Sequence, residues 1–253
     1  MKKKNIILLL ILLVSVGVGT TWAQTQPDFV AILQSIDEFG SYQETDFTAE
    51  YTVISEKPGE ERSIFKTRIF RRDGEDKFLL LILEPALRKG EGYLQVGDTG
   101  WSYDPESREF AIFSLKENFQ DSEARNSDFA GTKVSDNYDV TDWSEERLGA
   151  FDVWQLTLKA KNDTVAYPTT KLWVRRDNYL VLKQEDYSLS DRLMRTSYFP
   201  SYARSGGYYV PTKMLFLDNL NEGERTEVTV RNISFNTIPD SVFTRTYLER
   251  VNR

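Results

Sequence analysis

From about residue 47 to residue 235 the chain is a succession of short alternating runs broken by turn residues, and that punctuation points to an antiparallel meander. Strands are expected at Phe47–Ser55, Glu61–Arg72, Lys77–Glu84, around Tyr93, at Trp101–Tyr103 and at Phe110–Phe113. They resume at Tyr138–Trp143, Phe151–Ala160, Thr164–Arg175, Tyr179–Tyr187, Leu193–Phe199, Tyr208–Leu217 and Glu227–Phe235. Between them lie Lys57-Pro58-Gly59-Glu60, Asp73-Gly74, Gly97-Asp98, Asp104-Pro105, Asn162-Asp163, Asp177-Asn178, Gly206-Gly207 and Asn221-Glu222-Gly223. Such dipeptides supply the positive φ or the fixed φ that tight turns need. Lys116 to Asn137 is the longest stretch with no periodicity, polar and irregular.

Alternation assigns faces. In Phe151–Ala160 the apolar set is Trp154, Leu156, Leu158 and Ala160, against Gln155, Thr157 and Lys159. Lys66, Arg68, Lys159, Lys183 and Glu185 fit a sheet with one wet side. Phe78 to Leu83 is apolar on both faces, so both its sides should be covered. Few helices are available as cover. Pro27–Phe39 places Phe29, Ile32, Leu33, Ile36 and Phe39 at helical spacing, and a helical turn or two is expected in Pro239–Val251. A sheet this wide either closes on itself or stays partly open around a cavity.

The chain opens as an export signal. Lys2, Lys3 and Lys4 precede an apolar run from Ile6 to Val18, and Thr21-Trp22-Ala23 offers small residues at −3 and −1. The run is short of the roughly 20 residues that cross a bilayer. We expect residues 1–23 to be removed after Ala23, leaving residues 24–253 as a single periplasmic domain that starts at Gln24. No linker or change of composition divides the rest.

Composition removes much chemistry. The 253 residues contain no His and no Cys. There is thus no Ser-His-Asp triad, no imidazole base, no disulfide, and no ordinary zinc, haem or iron–sulfur site. A net charge of −7 argues against nucleic acid. Neither Asp73-Gly74-Glu75-Asp76 nor Asp104-Pro105-Glu106 has calcium-loop spacing, and both read as solvated turns. Arg71-Arg72 and Arg175-Arg176 read as solvated strand ends. No catalytic residue, metal or cofactor is expected. A carboxylate-only hydrolase would need paired acids that the sequence does not present.

Several elements in order carry a resemblance. Lys77 to Pro85, Lys89-Gly90-Glu91-Gly92-Tyr93-Leu94, Gly100-Trp101-Ser102-Tyr103-Asp104-Pro105 with Arg108, Asn126-Ser127-Asp128-Phe129, Lys171-Leu172-Trp173-Val174 with Arg175, and Tyr208 to Met214 together resemble the broad branch of the LolA-like family, the outer-membrane lipoprotein-sorting proteins. Asp128-Phe129 departs from that pattern, being followed by Ala130-Gly131-Thr132. The resemblance implies a mainly β fold, an incomplete, strongly curved antiparallel β-barrel closed by short helices. It also implies a periplasmic carrier, probing no chemistry but binding acyl chains of lipid or lipoprotein. An inner-membrane donor complex and an outer-membrane acceptor would be its partners, and the carrier itself a monomer. The same scaffold also suits a lipid- or lipoprotein-sensing regulator. For a carrier, alternation selects Phe78, Leu80, Ile82, Trp101, Tyr103, Trp154, Leu156, Leu158, Leu172, Val174, Met214 and Phe216 as the apolar lining. The face of Trp154, Leu156 and Leu158 is expected to border an open lumen.

Overall fold

The computed structural model describes residues 26–131 and 133–251. The expected signal sequence, the expected cleavage after Ala23 and Gln24 lie outside the described residues. Strands β1 (Phe47–Glu56), β2 (Ser63–Arg72), β3 (Lys77–Glu84), β4 (Gly92–Val96), β5 (Thr99–Asp104) and β6 (Glu109–Ile112) form one meander. The second comprises β7 (Tyr138–Leu148), β8 (Phe151–Ala160), β9 (Thr169–Arg175), β10 (Val181–Tyr187), β11 (Leu193–Ser205), β12 (Tyr208–Asp218) and β13 (Arg225–Ser234). Helices α1 (Phe29–Gly40), α2 (Val134–Asn137) and α3 (Arg245–Arg250), with four short 3-10 turns, are the remaining elements among the described residues.

Pairing of β1 with β13 fuses the meanders into one 13-stranded antiparallel sheet, in the order β6-β5-β4-β3-β2-β1-β13-β12-β11-β10-β9-β8-β7. Laid flat at about 4.8 Å per strand it would be roughly 60 Å wide. Bulges in the β1–β13, β2–β3, β7–β8 and β11–β12 pairings bend it. The strands do not close, because β6 and β7 are opposite edges. This is the mainly β, open-barrel class expected. Strand β11 runs past Pro200 to Ser205, beyond the expected end at Phe199. Register breaks between Tyr198 and Tyr202 let the proline sit where no ladder donor is required.

The topology has one large consequence. Because β6 and β7 occupy opposite edges, the connection between them must cross a whole face of the sheet. The irregular segment after β6 does so, burying Phe119, Ala124 and Phe129 against Tyr51, Ile69, Leu80 and Ile82. Asp28 caps α1 by accepting from the Ala31 amide at 3.1 Å, and the helix covers a second area of that face. Ile32, Leu33 and Ile36 pack on Leu156, Leu158, Leu172 and Val174.

The opposite face is covered by the C-terminal segment, which lays Ile238, Val242, Phe243 and Leu248 on Leu79, Leu94 and Tyr103. The two-faced run of β3 thus has both sides buried, Phe78, Leu80 and Ile82 inside and Leu79 outside. Helix α3 approaches so closely that a Cβ on Gly92 would meet Leu248 Cδ2 at 2.3 Å. We expect Gly92→Ala to lower stability by about 1–3 kcal/mol through overpacking. Gly97→Ala, where a Cβ meets nothing, carries only the strain of its φ of +57° and serves as the comparison in urea melts.

Candidate functional site

Between the two inner covers the concave face is unfilled. A cavity of about 430 Å³ remains there, bounded by β1, β2 and β3 on one side, by β10, β11 and β12 on the other, and by the β6–β7 connection and the loop before β9. That volume falls within the roughly 300–1,000 Å³ of small-molecule sites. Its apolar part comes from Tyr42, Tyr51, Phe78, Val210, Met214 and Phe216. Alternation places the strand side chains inward, whereas Tyr42 follows α1 and rests on Phe47 and Phe235 at ring separations of 4.9 and 5.0 Å. Burial pushes the Tyr42 hydroxyl up to about 12, so the phenol is neutral.

Charge is built into the same cavity wall. Arg71, 5% exposed, continues the inward phase of Thr67 and Ile69. Its guanidinium donates to Asp73 Oδ1 at 2.9 Å and Oδ2 at 2.5 Å and to the Gly40 carbonyl at 2.7 Å. Burial works against that charge, but Asp73 outweighs it and the Arg71 pKa is raised. The second Asp73 oxygen also accepts from the Tyr42 amide at 2.7 Å, tying the chain after α1 to the end of β2. Arg71 and Asp73 are thus a buried pair rather than a solvated strand end and turn. Their sheet position, not their neighbours in sequence, removes the water. Arg72 is also largely enclosed, holding Asp46 Oδ1 at 2.8 Å.

A second network lies across the cavity. Arg195 of β11 donates to Asp186 of β10 at 3.1 Å and to both Asp128 oxygens at 2.6 and 3.2 Å. Asp186 is wholly buried and also accepts from Thr170 at 2.9 Å and Gln184 at 2.8 Å. Burial is the largest influence on Asp186 and raises its pKa. Asp128 belongs to the β6–β7 connection, so this ion pair fastens that segment to the sheet. Arg125, on the same segment, stacks its guanidinium 4.5 Å over the Tyr167 ring and donates to the Tyr167 hydroxyl at 3.0 Å.

Of the twelve residues expected to line a lumen, Phe78, Met214 and Phe216 line this cavity. Leu80 and Ile82 lie on the same inner face, but beneath the β6–β7 connection. Leu156, Leu158, Leu172 and Val174 underlie α1, with Trp154 packed beside them. That face is close-packed rather than an open lumen, because α1 occupies it. Trp101 and Tyr103 belong to the opposite side, under the C-terminal segment. One-residue alternation in short β5 had no anchor in its sequence to say which phase was inward. The polar wall residues Arg71, Gln184, Asp186 and Arg195 fall outside an apolar alternation pattern, although each interrupts an inward phase with a polar side chain.

As for metals, the carboxylates of Glu123, Asp218 and Glu224 lie within 4.8 Å of one another. Burial first, then the charges of Asp218 and Glu224, push the Glu123 pKa up. None of the three lines the cavity, although the Glu123 carbonyl accepts from Arg195 at 3.3 Å.

A family model described as "Uncharacterized protein" matches residues 74–250. No curated protein matches the chain significantly. Among solved structures, a LolA superfamily protein from Nitrosomonas europaea is similar at a TM-score of 0.75 and 24% identity, covering 86% of this chain and 97% of that one. A putative outer membrane lipoprotein-sorting protein domain from Vibrio parahaemolyticus is similar at a TM-score of 0.77 and 21% identity, covering 87% and 98%. A DUF1329 family protein from Desulfovibrio piger gives 0.77 and 22%, covering 87% and 97%. The chain belongs to the family of the matching model, and its fold is the LolA-like fold of the outer-membrane lipoprotein-sorting proteins.

Proposed function

We propose that the protein is an exported, periplasmic carrier that takes an acyl chain of a lipid or lipoprotein into the concave-face cavity. The observation that carries this reading is the cavity itself, whose apolar surface comes from Phe78 of β3 and from Val210, Met214 and Phe216 of β12 across from it. Partition alone would drive uptake, at roughly 0.8 kcal/mol for each buried CH₂. No covalent step is required, in keeping with a chain that lacks His and Cys. The export signal and the fold similarity to lipoprotein-sorting proteins support the periplasmic setting. Passage from an inner-membrane donor to an outer-membrane acceptor belongs to the same proposal, as does removal of residues 1–23.

Protein exported to the periplasm and purified without detergent should carry bound amphiphile in native mass spectrometry. Met214→Trp should lose it. Met214 is nearly buried but borders the empty volume, so the larger side chain has space to enter. Stability should therefore fall by less than the roughly 1–3 kcal/mol of ordinary overpacking. Protein that carries no amphiphile, and takes up none from vesicles, would remove the carrier reading.

A further inference from the structure

The basic side chains lining the cavity divide into two kinds. Arg71 is paired with Asp73, Lys77 with Glu75, Lys133 with Asp76, and Arg195 with Asp128 and Asp186. Arg125 and Lys116 also line it, and among the described residues neither side chain has a carboxylate partner, although the Arg125 amide donates to Asp128 Oδ2 at 2.6 Å. Arg125 donates to the Tyr167 hydroxyl and the Lys116 carbonyl, while Lys116 Nζ donates to the Asp163 carbonyl. All these acceptors are neutral. They orient the two cations without cancelling them, and Arg125 Nη2 makes no hydrogen bond among the described residues. Two cations without an ion pair therefore share one wall, made by the β6–β7 connection and the loop from Asp163 to Tyr167. Because Arg195 serves two acids, the charged groups of the cavity and their partners sum to a single positive charge. In a chain of net charge −7 this is a local reversal of sign.

A guanidinium stacked on an aromatic ring is pre-organised, so it loses little freedom on accepting an anion. Hydrogen bonds between ionised groups are about twice as strong as neutral ones. The same cavity offers the apolar walls of Phe78 on one side and Met214 and Phe216 on the other. Resting on the carrier reading above, we propose that the ligand is an amphiphile with an anionic head, carboxylate or phosphate. Arg125 and Lys116 hold the head, and the chain lies between the apolar walls.

The test is calorimetric titration of the whole chain with dodecanoate, dodecyl phosphate and uncharged monododecanoylglycerol, each below its micelle concentration. The two anions should bind at least about tenfold more tightly than the glycerol ester, and high salt should shrink the difference. The double substitution Arg125→Gln and Lys116→Gln should abolish that preference while leaving the ester's affinity intact. Arg125→Lys should retain part of it. Lys116→Gln alone, at an exposed position, guards against misfolding of the double variant and should halve or more than halve the preference. Equal affinity for charged and uncharged ligands, or an equal loss of both in the double variant, would overturn the inference and leave the carrier reading standing. Binding of none of the three would overturn both. Inorganic phosphate competing as well as dodecyl phosphate would assign a free-anion site and overturn the amphiphile.

Discussion

Arg195→Ala should lower the stability of the protein by about 3–5 kcal/mol, the loss typical when one partner of a buried ion pair is removed. Two acids depend on this guanidinium. Asp186 is 0% exposed, and Asp128 holds the β6–β7 connection to the sheet. In the variant Asp186 is a buried carboxylate without a countercharge. Burial already raises its pKa in the intact protein, and removal of Arg195 raises it further. For an acid whose folded-state pKa is raised, the folded state binds its proton more tightly than the unfolded state does. The variant should therefore regain stability as pH falls through the raised value, levelling off below the unfolded pKa of about 3.9. Urea melts of both proteins from pH 7 to pH 4 would measure it. A variant whose deficit stays constant over that range would refute the buried-carboxylate account. Proteolysis should also cut first in the β6–β7 connection, which has lost its fastening.

Asp46→Ala should cost about 3 kcal/mol, at the lower end of the same range because Arg72 keeps a second acid, Asp240. Asp46 stands at the start of β1, receives Arg72 through two bonds of 2.8 and 3.0 Å, and accepts the Ile238 amide at 2.5 Å. One carboxylate thus joins β1, β2 and the C-terminal segment. The hydrogen bond from Arg72, foremost, holds its pKa below the ordinary carboxylate value. The sign is opposite to that of Asp186. A depressed pKa contributes stability that is complete above the unfolded value and is lost as pH falls through the folded one. Intact protein should lose stability steeply below about pH 4, and Asp46→Asn should flatten that acid limb while lowering the neutral plateau. An unchanged acid limb in Asp46→Asn would show that other carboxylates set it.

Local pattern was a good guide wherever a side chain's surroundings follow from its own strand. The expected hairpin at Asp73-Gly74 separates β2 from β3, and the helix expected over Pro27–Phe39 is α1 at Phe29–Gly40. The two-faced composition of Phe78 to Leu83 matched two buried faces for the same reason: each face makes its own demand on the residues it receives. The pattern failed where a second segment decides. Leu158 and Met214 both look like inward strand residues, yet one lies beneath α1 and the other borders the cavity. Trp101 and Tyr103 look equally suited to a lining, but the C-terminal segment lies over them. Arg71 and Arg195 could be recognised as inward charges from their phase, since Thr67, Ile69 and Arg71 alternate, as do Arg195, Ser197 and Phe199.

The amino-acid sequence by itself determined the antiparallel meander, most of its strands and turns, and the absence of imidazole and thiol chemistry, but not the start of β9, which lies at Thr169 rather than the expected Thr164. These depend on residues adjacent in the chain, and on which side chains exist at all. Tertiary structure alone decided which part of the inner face stays open. The β6–β7 connection has no periodicity of its own because it meets no regular lattice of backbone partners. It became a buried cover only because its ends are fixed to opposite edges of the sheet. Phe119 and Phe129 then fill one region and α1 fills another. The cavity is the space that neither can reach, and its charges come from positions far apart in the chain, at Arg71, Arg125 and Arg195. No local spacing encodes such a meeting, since it arises from where the sheet's edges lie.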